Sequence, residues 1–202
     1  MAVFAMLSGC GDVNDVSGLY GEVRTYIEDN GLATTAYYFP TAGTADVGYY
    51  FAVPADSTVV ALGISTGTVG TYTVRLMTGG SYSGGSLRVL SEVQIFQDGT
   101  DEWAYLELAG VPLTGGAQYY LVVEIPSNFL FKRAVVSPSL PVSTANATIF
   151  RAIQYIHDTG EYSTLAPVTY PHINGIVDFM LELGVFLCHI FYLPLSPGPF
   201  LE

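Results

Sequence analysis

From Ala36 to Pro126, short runs of Val, Ile, Leu, Tyr and Thr are cut again and again by Gly and Ser. β-branched and aromatic side chains suit a half-buried pleated surface, and Gly supplies the backbone freedom that tight corners need. Such punctuation, at intervals of about 8 to 12 residues, predicts consecutive antiparallel strands in a β-sandwich or jelly roll. The spacing places strands at Ala36 to Phe39, Asp46 to Val53, Thr58 to Ser65, Thr71 to Met77 and Ser86 to Phe96. Four more follow at Glu102 to Leu108, Gln118 to Ile125, Phe131 to Val136 and Ile176 to Glu182. In the fourth, Tyr72, Val74 and Leu76 alternate with Thr73 and Arg75, so one face points to a core and the other away from it. Tyr119 to Ile125 is apolar almost throughout, as expected of a central strand covered on both sides.

A helical spacing is confined to the N-terminal region. Leu19, Val23 and Ile27 recur every four residues, with Ser17 placed to cap the helix and Asn30-Gly31 to end it. The organisation expected is an arm and short helix over 1–34, a sandwich over 35–183 and an apolar, Pro-rich tail over 184–202.

With 202 residues, half of them apolar and 13% aromatic, the chain has ample material for a core. Charged residues are only 12%, against about 25% in an average soluble domain. Ser, Thr, Gly and Tyr therefore carry much of the surface, as suits extracellular or assembled proteins. Six Lys and Arg stand against 18 Asp and Glu, a formal charge of −12. That field repels a phosphate backbone and an anionic lipid surface alike, which argues against nucleic acid or such a membrane as partner.

Both ends are apolar. Leu7-Ser8-Gly9-Cys10 resembles the lipobox of bacterial lipoproteins, but no Lys or Arg precedes it and the apolar run is short for a signal. The segment from Met1 to Gly11 is read instead as an apolar arm. Ile176 to Leu195 holds Asp178, Glu182 and His189, and a central Asp in a membrane span costs about 2.5 kcal/mol or more, so a core strand with an apolar tail is preferred to a transmembrane helix. Phe4, Met6, Phe186, Leu187, Ile190, Phe191 and Leu193 are the expected interface residues of these arms. Cys10 and Cys188 lie near opposite ends, with no Cys-x-x-Cys pair to suggest a metal or redox site.

The order Val60-Ala-Leu-Gly-Ile, Tyr72-Thr-Val-Arg-Leu, Val89-Leu-Ser, Trp103-Ala-Tyr-Leu-Glu-Leu and Val111-Pro-Leu-Thr-Gly-Gly-Ala-Gln-Tyr-Tyr-Leu-Val-Val carries a resemblance. It is similar to β-sandwich modules of bacterial extracellular proteins and of phage virion proteins, the decoration and fibre types. The likeness runs from Ala45 to Pro126 and implies a sandwich. It brings no catalytic signature.

The candidate chemistry is sparse. Asp98, Asp101 and Glu102 lie within five residues and offer oxygen ligands to calcium, although a hairpin turn between two strands explains them as well. Asp12 and Asp15 lack the downstream Gly and Glu of a calcium loop. His157-Asp158 has the makings of a base with its orienter, but the following Thr159-Gly160 reads as a surface turn. Asn146-Ala-Thr148 matches a glycosylation triplet, which arises often by chance in a Thr-rich chain. Gly79 to Gly85 lacks the Lys and helix of a phosphate-binding loop, and its Tyr82 is a candidate sugar contact. With no nucleophile elbow or Ser-His-Asp order, the expectation is a non-enzymatic attachment protein without cofactor. Its expected place is a virion or cell surface, where it binds other proteins and further copies of itself. The alternative is a carbohydrate-binding module of an extracellular protein.

Overall fold

A computed structural model describes residues 21–39, 43–80, 87–99, 102–135, 140–157, 161–164, 172–174 and 177–183. Among them are one helix, α1 (Glu22–Asp29), and thirteen strands: β1 (Thr34–Phe39), β2 (Ala45–Ala52), β3 (Ser57–Ile64), β4 (Gly70–Gly79), β5 (Leu87–Gln97), β6 (Ala104–Leu113), β7 (Gln118–Ile125), β8 (Phe129–Val135), β9 (Val142–Ser143), β10 (Thr148–Ile156), β11 (Glu161–Thr164), β12 (His172–Asn174) and β13 (Val177–Leu183). The largest sheet runs β11-β10-β2-β7-β4-β5, with β9 added beside β10. Two three-stranded sheets, β13-β3-β6 and β1-β8-β12, complete the architecture, and every pairing among the described residues is antiparallel. The chain is an antiparallel β-sandwich with a short N-terminal helix.

The pattern in the sequence explains the layers. Tyr72, Val74 and Leu76 of β4 are buried, whereas Thr73 and Arg75 are partly exposed on the other face. Strand β7 lies between β2 and β4 with side chains buried on both of its faces, which accounts for its nearly continuous apolar run. Aromatic rings fill the space between the large sheet and β13: Phe51 and Phe179 stand 4.6 Å apart at the ring centres, Tyr119 packs on Phe51 at 5.7 Å, and both Phe51 and Phe179 are fully buried. Tyr49, also fully buried, donates its hydroxyl to the Val177 carbonyl at 3.1 Å, so even the polar atom of this core joins the two layers.

The structure corrects several expectations. Strand β10 is absent from the sequence reading, because the register against β2 shifts between Ile149 and Arg151 and this irregularity breaks the two-residue alternation. Strand β6 runs on to Leu113, through Gly110 at φ +97°, where the pairing with β3 jumps from Val59/Val111 to Ala61/Glu107. The turn after Phe96 does not make a hairpin. It carries the chain from β5 in the large sheet to β6 in a small one. Helix α1 starts at Glu22 behind Gly21, so Ser17 is not its cap.

The actual cap comes from β13. Asp178 is fully buried, and its carboxylate accepts the backbone N–H of Val23 at 2.8 Å and of Arg24 at 3.1 Å, the two amides that an N-cap side chain would satisfy. It also accepts the Phe179 N–H at 2.8 Å and the Tyr105 hydroxyl at 2.7 Å. Two glycines make room for it. A Cβ on Gly21 would overlap the Asp178 carboxylate, and one on Gly63 would strike the Tyr105 ring, which crosses Gly63 to reach Asp178. Asp178, Gly63 and Tyr105 are register partners across β13, β3 and β6. Glu22 adds a second tie: its buried carboxylate accepts the Thr144 hydroxyl at 2.7 Å and both the backbone N–H and side-chain amide of Asn146, at 3.0 and 2.8 Å.

Burial pushes the Asp178 carboxyl up to about 6, against the opposing pull of its Tyr105, Val23, Phe179 and Arg24 donors. A folded-state value above the unfolded one means that the folded chain holds the proton more tightly. Asp178 therefore contributes more to stability below about pH 4 than above pH 6, and the contribution falls as pH rises through that window, by about 3 kcal/mol. Asp178→Asn places an amide N–H against donors and should lower stability by about 1–3 kcal/mol at pH 7. In denaturant titrations from pH 4 to 7, the gap between wild type and variant should be widest at pH 4; parallel profiles would show that Asp178 does not titrate there.

Candidate functional site

The outer face of the large sheet gathers its charges around one guanidinium. In the register, Asp46 of β2 lies opposite Glu124 of β7, and Arg75 of β4 lies opposite Glu92 of β5. Their side chains meet on the face away from the core. Arg75 donates through Nη1 to Asp46 Oδ1 at 3.1 Å, through Nη2 to Glu124 Oε2 at 2.7 Å and through Nε to Glu92 Oε2 at 2.7 Å. His157, just past the end of β10, brings Nε2 to 3.1 Å from Asp46 Oδ2. Its backbone N–H donates to the Thr44 carbonyl at 3.0 Å, and its Nδ1 lies 3.3 Å from Thr44 Oγ1, so Thr44 fixes the ring.

Asp46 is the most enclosed member, with 7% of its side chain exposed against 53% for Glu92. Burial raises its carboxyl above the ordinary range, although His157 and Arg75 pull the other way. For Arg75 burial works against the charge, but the hydrogen bonds to Glu92 and Glu124 outweigh it and hold the guanidinium more firmly protonated than usual. Beside this cluster lies a cleft of about 310 Å³ that shares Thr44 and Glu124 with it and is lined further by Val69, Thr71, Thr73 and Phe129. On the same side of the sheet, Met77, Tyr120, Val122 and Ile153 form a small buried apolar cluster, against which Tyr50 and Leu87 pack.

Two other surfaces stand out. At one corner Tyr38 and Leu130, direct partners across β1 and β8, are 53% and 48% exposed, and Val69, on the loop before β4, is 64% exposed. The Thr68 hydroxyl donates to the Leu130 carbonyl at 3.3 Å and so ties the loop that carries Val69 to β8. At the end of β5, a cleft of about 240 Å³ is lined by Phe96, Gln97, Asp98, Glu102, Trp103 and Ala104. Trp103 stacks on Tyr105 at 6.1 Å, while Phe96 is 61% exposed.

Of the residues singled out from the sequence, Asp98 and Glu102 are exposed and share this second cleft, whereas Asp101 lies outside the described residues. Tyr82, Phe4, Met6, Phe186, Leu187, Ile190, Phe191, Leu193, Cys10 and Cys188 also lie outside them. His157 is drawn to Asp46, its neighbour Asp158 lies outside the described residues, and Asn146 of the glycosylation triplet is engaged by Glu22. Asp46, Arg75, Glu92 and Glu124 escaped the sequence reading, since only the strand register brings them together. A signal was present: Arg75 alternates outward from a clearly amphipathic strand, and an isolated cation in so acidic a chain calls for carboxylate partners.

Compared with known proteins, the chain matches no family model and no curated protein.

Replacing Arg75 with Leu leaves Asp46 and Glu124 facing each other without their shared cation, and should cost about 2–3 kcal/mol. Glu92→Gln, at the exposed end of the network, should cost less than about 0.5 kcal/mol. Urea unfolding of the two variants tests the ranking; equal losses would mean that the buried and exposed arms of the network carry the same weight.

Proposed function

We propose that this chain is a non-enzymatic attachment module, a structural component of a virion or cell surface that binds other proteins and further copies of itself. The observation that carries the reading is the pair Tyr38 and Leu130, two large side chains each about half exposed and facing each other across β1 and β8, with the exposed Val69 on a loop tied to the same strand. Apolar side chains gathered in this way mark interaction surfaces more often than scattered ones do. The low content of charged residues and the apolar sequences 1–6 and 185–193 support the same reading. The fold supplies a rigid frame to which such a surface can be fixed.

A second reading, sugar binding, is favoured by the cleft at Phe96 and Trp103. An exposed ring offers a stacking face, and Asp98 and Glu102 beside it offer acceptors for hydroxyl groups.

In the first reading, the triple variant Tyr38→Ser, Val69→Ser and Leu130→Ser should convert an oligomer to a monomer in light scattering without lowering the melting temperature. A wild type that is monomeric throughout the micromolar range would overturn self-association through this corner. In the second, a glycan array should give hits that quench Trp103 fluorescence and are lost in Phe96→Ala; an array blank for the wild type would remove that reading.

A further inference from the structure

We propose that Asp46, Glu124 and His157 form a binding site for a divalent transition-metal ion of the zinc type on the outer face of the large sheet. One ligand atom from each residue lies within 4.8 Å of the others. Donors at about 2.0–2.2 Å from a metal stand roughly 3–4 Å apart, so the three need to draw together by only about 1 Å to hold a single ion. His157 Nε2 and Asp46 Oδ2, 3.1 Å apart, already have the separation of adjacent ligands.

The supporting geometry is that of a held site rather than a chance meeting of surface acids. Asp46 and Glu124 are fixed by their opposite positions in the β2–β7 register, and His157 by the bond from its backbone N–H to Thr44. Thr44 Oγ1 sits beside Nδ1, so Nδ1–H can donate to it once an ion replaces the proton between Nε2 and Asp46; a metal-binding imidazole is usually oriented in this way through its second nitrogen. Arg75 engages Asp46 through Oδ1, on the side away from His157. It therefore steadies the carboxylate without occupying the atom that faces the imidazole.

Charge points the same way. Asp46, Glu92 and Glu124 surround one guanidinium, leaving a formal charge of −2 with the histidine neutral. One divalent cation would neutralise it. The imidazole selects among cations: calcium and magnesium prefer oxygen donors in larger number, whereas zinc and its neighbours accept nitrogen and carboxylate oxygen together. The cleft that shares Thr44 and Glu124 gives an ion a path from solvent and leaves room for water at the remaining positions.

Isothermal titration of the full chain with ZnCl2, and with CaCl2 as comparator, tests the site. One equivalent of Zn2+ should bind saturably and raise the melting temperature, with Ca2+ weaker by at least about tenfold. His157→Ala and Glu124→Gln should each weaken Zn2+ binding by about tenfold or more, whereas Asp98→Asn with Glu102→Gln should leave it unchanged. No saturable Zn2+ binding, equal binding by Ca2+, or full binding in His157→Ala would overturn the assignment. Should either variant fail to fold, the wild type decides alone: one equivalent of Co2+ should perturb the imidazole resonances of His157, and perturbation of His172 or His189 in its place would refute the site.

Discussion

A buried carboxylate joins the first helix to the last described strand, and much of the molecule is arranged so that it can. Asp178 accepts four hydrogen bonds, two of them from the open end of α1. An isolated charge in that position would be prohibitive, and the donors make it tolerable. The absence of side chains at Gly21 and Gly63 gives the carboxylate and the Tyr105 ring their space. A helix of eight residues has little stability of its own, so its place depends on this anchor, on Glu22, and on Val23 and Ile27 within the core.

The two faces of the large sheet differ in what they pack. The inner face is a dry layer in which Phe51, Tyr119 and Phe179 interlock. The outer face carries both the Arg75 network and a smaller buried apolar cluster, so charge and apolar packing lie side by side on one layer. The exposed pair Tyr38 and Leu130 belongs to a different sheet.

Local pattern made most of the sandwich readable. Tyr72, Val74 and Leu76 show their common face because β4 is regular along that stretch, and β7 shows its central place because both of its faces are covered. Strand β10 stayed hidden because its register shift disrupts the alternation on which such reading depends. The helix could be recognised from Val23 and Ile27, but not its cap, since the capping carboxylate stands 155 residues from Val23 in sequence. The charged site was harder still. Asp46, Arg75, Glu92, Glu124 and His157 are unremarkable where they stand in the chain, and only strand pairing turns them into neighbours.

The pairing of β13 with β3 also imposes an order in time. While the chain is being made, β3 emerges more than a hundred residues before the strand that covers its free side, and α1 emerges earlier still without its capping carboxylate. Until residue 183 has left the ribosome, one edge of β3 is open and the layer that should receive Phe179 is incomplete. One strand, the last of those described to be made, thus closes the sheet edge, fills the core and caps the helix.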